Sequence, residues 1–258
     1  SSAASDVYKR QVDDNCDGDV DDGKEMEDTD ILFIVDFSGS MDIEIAGVMS
    51  ALNMFASHYS DEEVIRWGLI VGPTSTGAYD EWLELKSNLV AFDQFMVDFA
   101  AIGINQLAGG SEMLYDAVYL AIHNIVSPSS LAYTLADLFW FSTTMMEISS
   151  DPVVSQFKID WREDAHHVVI LFTDEEGQSF LTPSITQEVL LEAIQGAIDL
   201  YVYPFSPETL QEKTLWNGKK AGWGPLTQYG GQWFPLTSNP AVLYGNLMQI
   251  LDDTACGE

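Results

Sequence analysis

The segment Ile31–Met41 (ILFIVDFSGSM) constrains this chain most. Ile31, Leu32, Phe33, Ile34 and Val35 follow one another with no polar residue between them. A strand with one solvated face alternates apolar and polar residues. An uninterrupted, β-branched run marks a central strand covered on both faces, as in a parallel sheet. The run ends in Asp36, Phe37, Ser38, Gly39 and Ser40, so a buried strand delivers one carboxylate and two hydroxyls into a tight turn. Hard oxygen donors of this kind suit Mg²⁺, Mn²⁺ or Ca²⁺.

The rest of the chain alternates strand and helix signals. Ile45, Val48, Met49, Leu52, Phe55 and Ala56 have helical spacing. Ile65–Val71 reads as a strand closed by Gly72 and Pro73, and Trp82–Leu89 as its neighbour. Ala91–Ala101 carries Phe92, Phe95, Met96 and Phe99 on one stripe, and Gly109, Gly110 and Ser111 open a helix over Glu112–Ile125. His167–Phe172 is the strongest strand of the second half and ends at Thr173 and Asp174. A helix over Thr186–Ile198, a strand over Asp199–Phe205, an edge strand over Trp233–Leu236 and a closing helix over Ala241–Leu251 complete the pattern. This alternation predicts an α/β fold, a doubly wound, mainly parallel sheet with helices on both faces. Residues 127–164, with the apolar patch Leu138, Phe139, Trp140 and Phe141, read as a long insertion.

In such a sheet ligands bind outside the carboxyl ends of the strands, where the strand order reverses. The loops after Ile31–Asp36 and His167–Phe172 are the best candidates for that crevice, and Ser111 offers a further hydroxyl at the mouth of a helix. Three loops then bring oxygen donors to one end of one sheet. This pattern resembles the metal-ion-dependent adhesion site of von Willebrand factor type A domains, over residues 30–252. The resemblance implies metal ligation by Asp36, Ser38 and Ser40 from the first motif, Ser111 from the second and Asp174 from the third. Ser38 and Ser40 would bind the ion directly and Asp36 through water. The second motif normally supplies threonine, so Ser111 is a departure. It keeps the hydroxyl but lacks the methyl that restricts its rotamer. Glu175 and Glu176 stand where the family often has glycine, and with Glu112 they are expected around the ligand-binding face. The resemblance further implies an ion with an open coordination position, completed by an acidic residue of a protein partner or a component of the extracellular matrix or cell surface.

The segment before the domain has its own character. Ser1–Gln11 reads as the translation of a sequencing adapter rather than natural protein, which would place any signal peptide before the sequence given. Residues 12–29 are acidic and nearly free of apolar side chains. Asp13, Asn15, Asp17, Asp19 and Asp21 alternate, with Gly18 at the sixth position, as a calcium loop begins. Lys24 occupies the twelfth position, where a bidentate Glu is expected. The segment also resembles the Asp/Asn/Cys repeats of bacterial surface proteins. A calcium-binding repeat and a solvated linker both fit it. Cys16 and Cys256 lie near the two ends; in domains of this family the termini often approach, which would allow a disulfide. Residues 253–258 form a short tail.

The formal net charge is −31, with 10 Lys and Arg against 41 Asp and Glu. Such a chain repels phosphate backbones and anionic lipid, so nucleic acid is not an expected partner. No apolar run is long enough for membrane insertion. A strand ending in Asp also suits an aspartyl phosphohydrolase, but that chemistry wants a second Asp two residues on, where Ser38 stands. Neither a phosphate-binding Gly-rich loop nor a nucleophile elbow occurs. His58, His123, His166 and His167 share no ligand spacing and read as structural, and Trp216, Trp223, Trp233 and Tyr229 read first as core or loop packing, with a groove for sugars or peptides as the alternative. The expectation is a secreted or surface binding module without enzymatic activity, with a metal-dependent hydrolase or a metal-stabilised structural domain as alternatives.

Overall fold

The structure is a computed structural model, and it describes residues 27–60, 62–77, 80–102, 113–126, 158–179, 184–211 and 222–255. Six strands form one sheet: β1 (Thr29–Asp36), β2 (Ile65–Gly77), β3 (Asp80–Val90), β4 (His166–Phe172), β5 (Leu200–Ser206) and β6 (Phe234–Pro235). Their order is β3-β2-β1-β4-β5-β6. All pairings are parallel except β2 with β3. The described helices are α1 (Ile45–His58), α2 (Phe92–Ala100), α3 (Leu114–Val126), α4 (Gln187–Gly196) and α5 (Pro240–Ala255). The expected doubly wound α/β class is the observed one.

The strand pleat explains why β1 reads as continuous apolar sequence. Successive side chains point to opposite faces. Ile31, Phe33 and Val35 pack with Val48, Leu52 and Phe55 of α1, Phe95 of α2 and Leu247 of α5. Leu32 and Ile34 pack with Ala117, Val118 and Ala121 of α3 and Leu190 of α4. β4 divides in the same way, Ile170 and Phe172 to one side and Val169 and Leu171 to the other. One core is an aromatic cluster, in which Phe33 stacks on Trp67 at 6.2 Å and meets Phe55 edge-on.

β2 is longer than its sequence suggests. Gly72 and Pro73 read as its end, yet the strand runs to Gly77. Pairing with β1 stops at Asp36 opposite Gly72, and beyond it β2 pairs only with β3, through a shifted register. A proline without an N–H is tolerated there because no β1 acceptor lies beside it. The Asn88 and Asp160 side chains, with Arg66, tie the segment before β4 to the amino ends of the strands.

Candidate metal centre

β1 and β4 are adjacent in the sheet, and the chain leaves them in opposite directions, to β2 and to β5. The strand order therefore reverses between their carboxyl ends, which places the crevice there. The register pairs Val35 with Phe172, so Asp36 and Thr173 emerge side by side. The Thr173 hydroxyl donates to Asp36 Oδ2 at 2.7 Å, and the Ser38 N–H donates to Asp36 Oδ1 at 2.8 Å. Ser38 has extended backbone and begins a 3₁₀ turn over Gly39–Asp42. That turn carries Ser40 back over the strand end. Ser40 Oγ donates to Asp174 Oδ1 at 3.0 Å, and Ser38 Oγ lies 2.9 Å from Ser40 Oγ.

Two carboxylates and two hydroxyls thus converge. Asp36 is fully buried, and burial pushes its carboxyl up to about 7 against the lowering effect of its bonds from Ser38 and Thr173. Asp174 is half-buried and is raised for the same reason, with Asp42 adding repulsion and Ser40 opposing the rise. Among the described residues no lysine, arginine or histidine forms an ion pair with Asp36 or Asp174. Nor do three His, Cys, Asp or Glu side chains gather into a cage among those residues. The donor set is hydroxyl-rich and hard. It fits a small divalent cation, which would supply the positive charge that Asp36 otherwise lacks.

Of the expected ligands, Asp36, Ser38, Ser40 and Asp174 are brought together. Ser111 and Glu112 lie outside the described residues, as do Asp13, Asn15, Asp17, Asp19, Asp21, Cys16 and Cys256. Glu175 and Glu176 follow Asp174 on the loop, partly exposed. Sequence reasoning missed Thr173 as a partner of Asp36. A hydroxyl directly before the third-motif Asp, one register step past the strand pairing, was the available signal. It also missed how the loop is backed. The Trp223 indole donates to the Glu175 carbonyl at 2.8 Å, and the Tyr115 N–H donates to the Gln178 carbonyl at 3.0 Å. Gly177 lies against the Tyr115 ring, where any Cβ would overlap it. His167 bonds the Ile198 and Arg162 carbonyls and His166 bonds Glu27.

Solved structures share this architecture. Proximal thread matrix protein 1 from the mussel byssus aligns at TM-score 0.50 and 12% identity, over 90% of this chain and 49% of that one. A second structure of that protein, described as having a zinc-occupied MIDAS motif, aligns at 0.50 and 13%, over 90% and 48%. A von Willebrand factor type A protein from Catenulispora acidiphila aligns at 0.48 and 14%, over 89% and 43%. The six-stranded, mainly parallel sheet with helices is the fold shared with the byssus protein. The chain spans about half the length of these proteins. No family model and no curated protein matches the sequence.

Proposed function

We propose that this chain is a von Willebrand type A domain and a non-enzymatic binding module of a secreted or cell-surface protein, dependent on one divalent cation. Asp36, Ser38, Ser40 and Asp174 would hold Mg²⁺, or Mn²⁺ or Ca²⁺ in its place, with Ser111 as a further hydroxyl ligand. The observation that carries this reading is the hydrogen-bonded run from Ser38 through Ser40 to Asp174, set beside a buried Asp36 without a cationic partner among the described residues. The zinc-occupied MIDAS motif described for the byssus protein supports it.

When bound, the ion would act as an electrophile toward a carboxylate. The chain's own groups orient its ligands: Thr173 and the Ser38 N–H fix both Asp36 oxygens. Hydroxyl ligands neutralise less of the ion's charge than carboxylates do, which favours an acidic residue from a protein partner or matrix component. The source of the byssus protein is consistent with an extracellular setting.

Calorimetric titration of Mg²⁺, Mn²⁺ and Ca²⁺ into the full chain tests the reading. Binding is expected to vanish in Asp174→Ala and to survive replacement of Asp17, Asp19 and Asp21 by Asn. Binding that instead follows the acidic leader would refute the site. Binding that persists without any carboxylate ligand being recognised would leave the ion a stabilising role.

A further inference from the structure

The loop that carries Asp174 is held from behind by an aromatic side chain far away in sequence. Glu175 has both backbone groups engaged. Its N–H donates to Thr173 Oγ1 at 3.0 Å, and its carbonyl accepts from Trp223 Nε1 at 2.8 Å. Thr173 in turn donates to Asp36. A continuous relay therefore runs from the buried carboxylate of the first motif, behind Asp174, to an indole 48 residues from Glu175.

Trp223 is itself immobilised. It is fully buried, and its ring meets the Tyr115 ring edge-on at 5.2 Å. Its backbone N–H donates to the Leu210 carbonyl at 2.9 Å, and the next backbone N–H, of Gly224, donates to the Gln211 carbonyl at 3.0 Å. The preceding Gly222 carbonyl accepts from Gln187 Nε2 at the start of α4. A fixed donor aimed at one carbonyl of a ligand loop restricts the backbone on which the ligand rides. Partners outside the ligands themselves commonly set metal affinity in this way.

We propose that Trp223 is a positioning residue of the metal centre, its indole N–H holding the Glu175 carbonyl so that Asp174 meets Ser40. The proposal rests on the metal reading of Asp36, Ser38, Ser40 and Asp174. Trp161 supplies a control of the same chemistry. Its Nε1 donates to the Ala121 carbonyl, also at 2.8 Å, beside the segment that enters β4 rather than the metal loops.

The test uses the full chain and the electron paramagnetic resonance signal of free Mn²⁺, for the wild type, Trp223→Phe and Trp161→Phe, with urea unfolding of each. The wild type is expected to bind Mn²⁺. Trp223→Phe should weaken that binding about tenfold. Trp161→Phe should leave it unchanged while losing comparable stability. Equal Mn²⁺ affinity in the two variants would overturn the positioning role and leave the metal site standing. A wild type that binds no Mn²⁺ would overturn the metal site and this role together. Should Trp223→Phe not fold, the wild-type ¹H–¹⁵N spectrum answers the same question. Mg²⁺ is expected to move the indole resonance of Trp223, recognised by its contact with Tyr115, and not that of Trp161. An unmoved Trp223 resonance would overturn the proposal.

Discussion

Asp30 and Asp36 lie on the same strand, and both are fully buried, yet their surroundings are opposites. At the amino end of the sheet, Arg66 donates to both Asp30 oxygens, at 2.9 and 2.6 Å. Arg162 adds its backbone N–H at 2.8 Å and its Nε at 2.9 Å, while its terminal nitrogen reaches the Thr29 and Val64 carbonyls. At the carboxyl end, Asp36 receives one hydroxyl and one backbone N–H. A buried carboxylate with two guanidiniums is electrically complete. One with neutral donors alone remains costly to ionise. In a chain with only 10 Lys and Arg, two are committed to Asp30, and none among the described residues pairs with Asp36. The contrast separates an end whose buried carboxylate is paired with two guanidiniums from an end whose buried carboxylate meets neutral donors alone.

Removing one partner at the complete end should have the largest effect. Arg162→Ala is expected to lower stability by about 3–5 kcal/mol, since it strips a buried carboxylate and two carbonyls of donors. Urea unfolding measures the loss, and calorimetry should find divalent-ion affinity unchanged in the protein that remains folded. If affinity falls in parallel, the two ends are not independent. Asp36→Asn should act in the opposite sense. In EDTA at about pH 8 it is expected to stabilise the fold by about 2–4 kcal/mol, because a neutral side chain replaces a buried charge. In the same titration, metal binding should be lost.

The pH dependence sharpens the contrast. Asp36 is raised to about 7 in the folded protein from an ordinary value of 3.8. The folded state therefore holds a proton that the unfolded chain has released. Its contribution to stability is present at low pH, declines as pH rises between those two values, and is flat above about 7. Urea midpoints in EDTA should carry this decline, and excess Mg²⁺ should remove or reverse it. An Asp36→Asn protein that shows the same decline would assign it to other groups. The smallest effect is expected for Ser40→Ala. Its hydroxyl is at the exposed side of the centre, so stability should change by less than about 1 kcal/mol. Mn²⁺ affinity should fall about tenfold.

The sheet was legible because its central strands are saturated with apolar residues. β1 and β4 could be read from Ile31–Asp36 and His167–Phe172 alone, and the first-motif ligands sit within five residues of one another. Interactions formed by distant segments left no local trace. Arg162 and Asp30 are 132 residues apart, and in sequence each is simply a charge. Trp223 looks like loop packing until the fold sets it behind Glu175. Pro73 misled for another reason: it reads as a terminator, and only the end of β1 pairing shows why a strand can pass through it.

The placement of the described chain ends around the Asp30 network has a consequence for presentation. Asp28 pairs with Arg162, and Glu27 with His166. Ile159 bonds Asn124 near the end of α3, just before residues 127–157. The preceding segment and the insertion therefore join the domain at the amino ends of the strands, one length of β1, roughly 25 Å, from Asp36 and Ser40. A domain immobilised through either attachment would stand with the Asp36 and Ser40 end turned outward, so that surface coupling and access to the proposed metal centre need not compete for the same face.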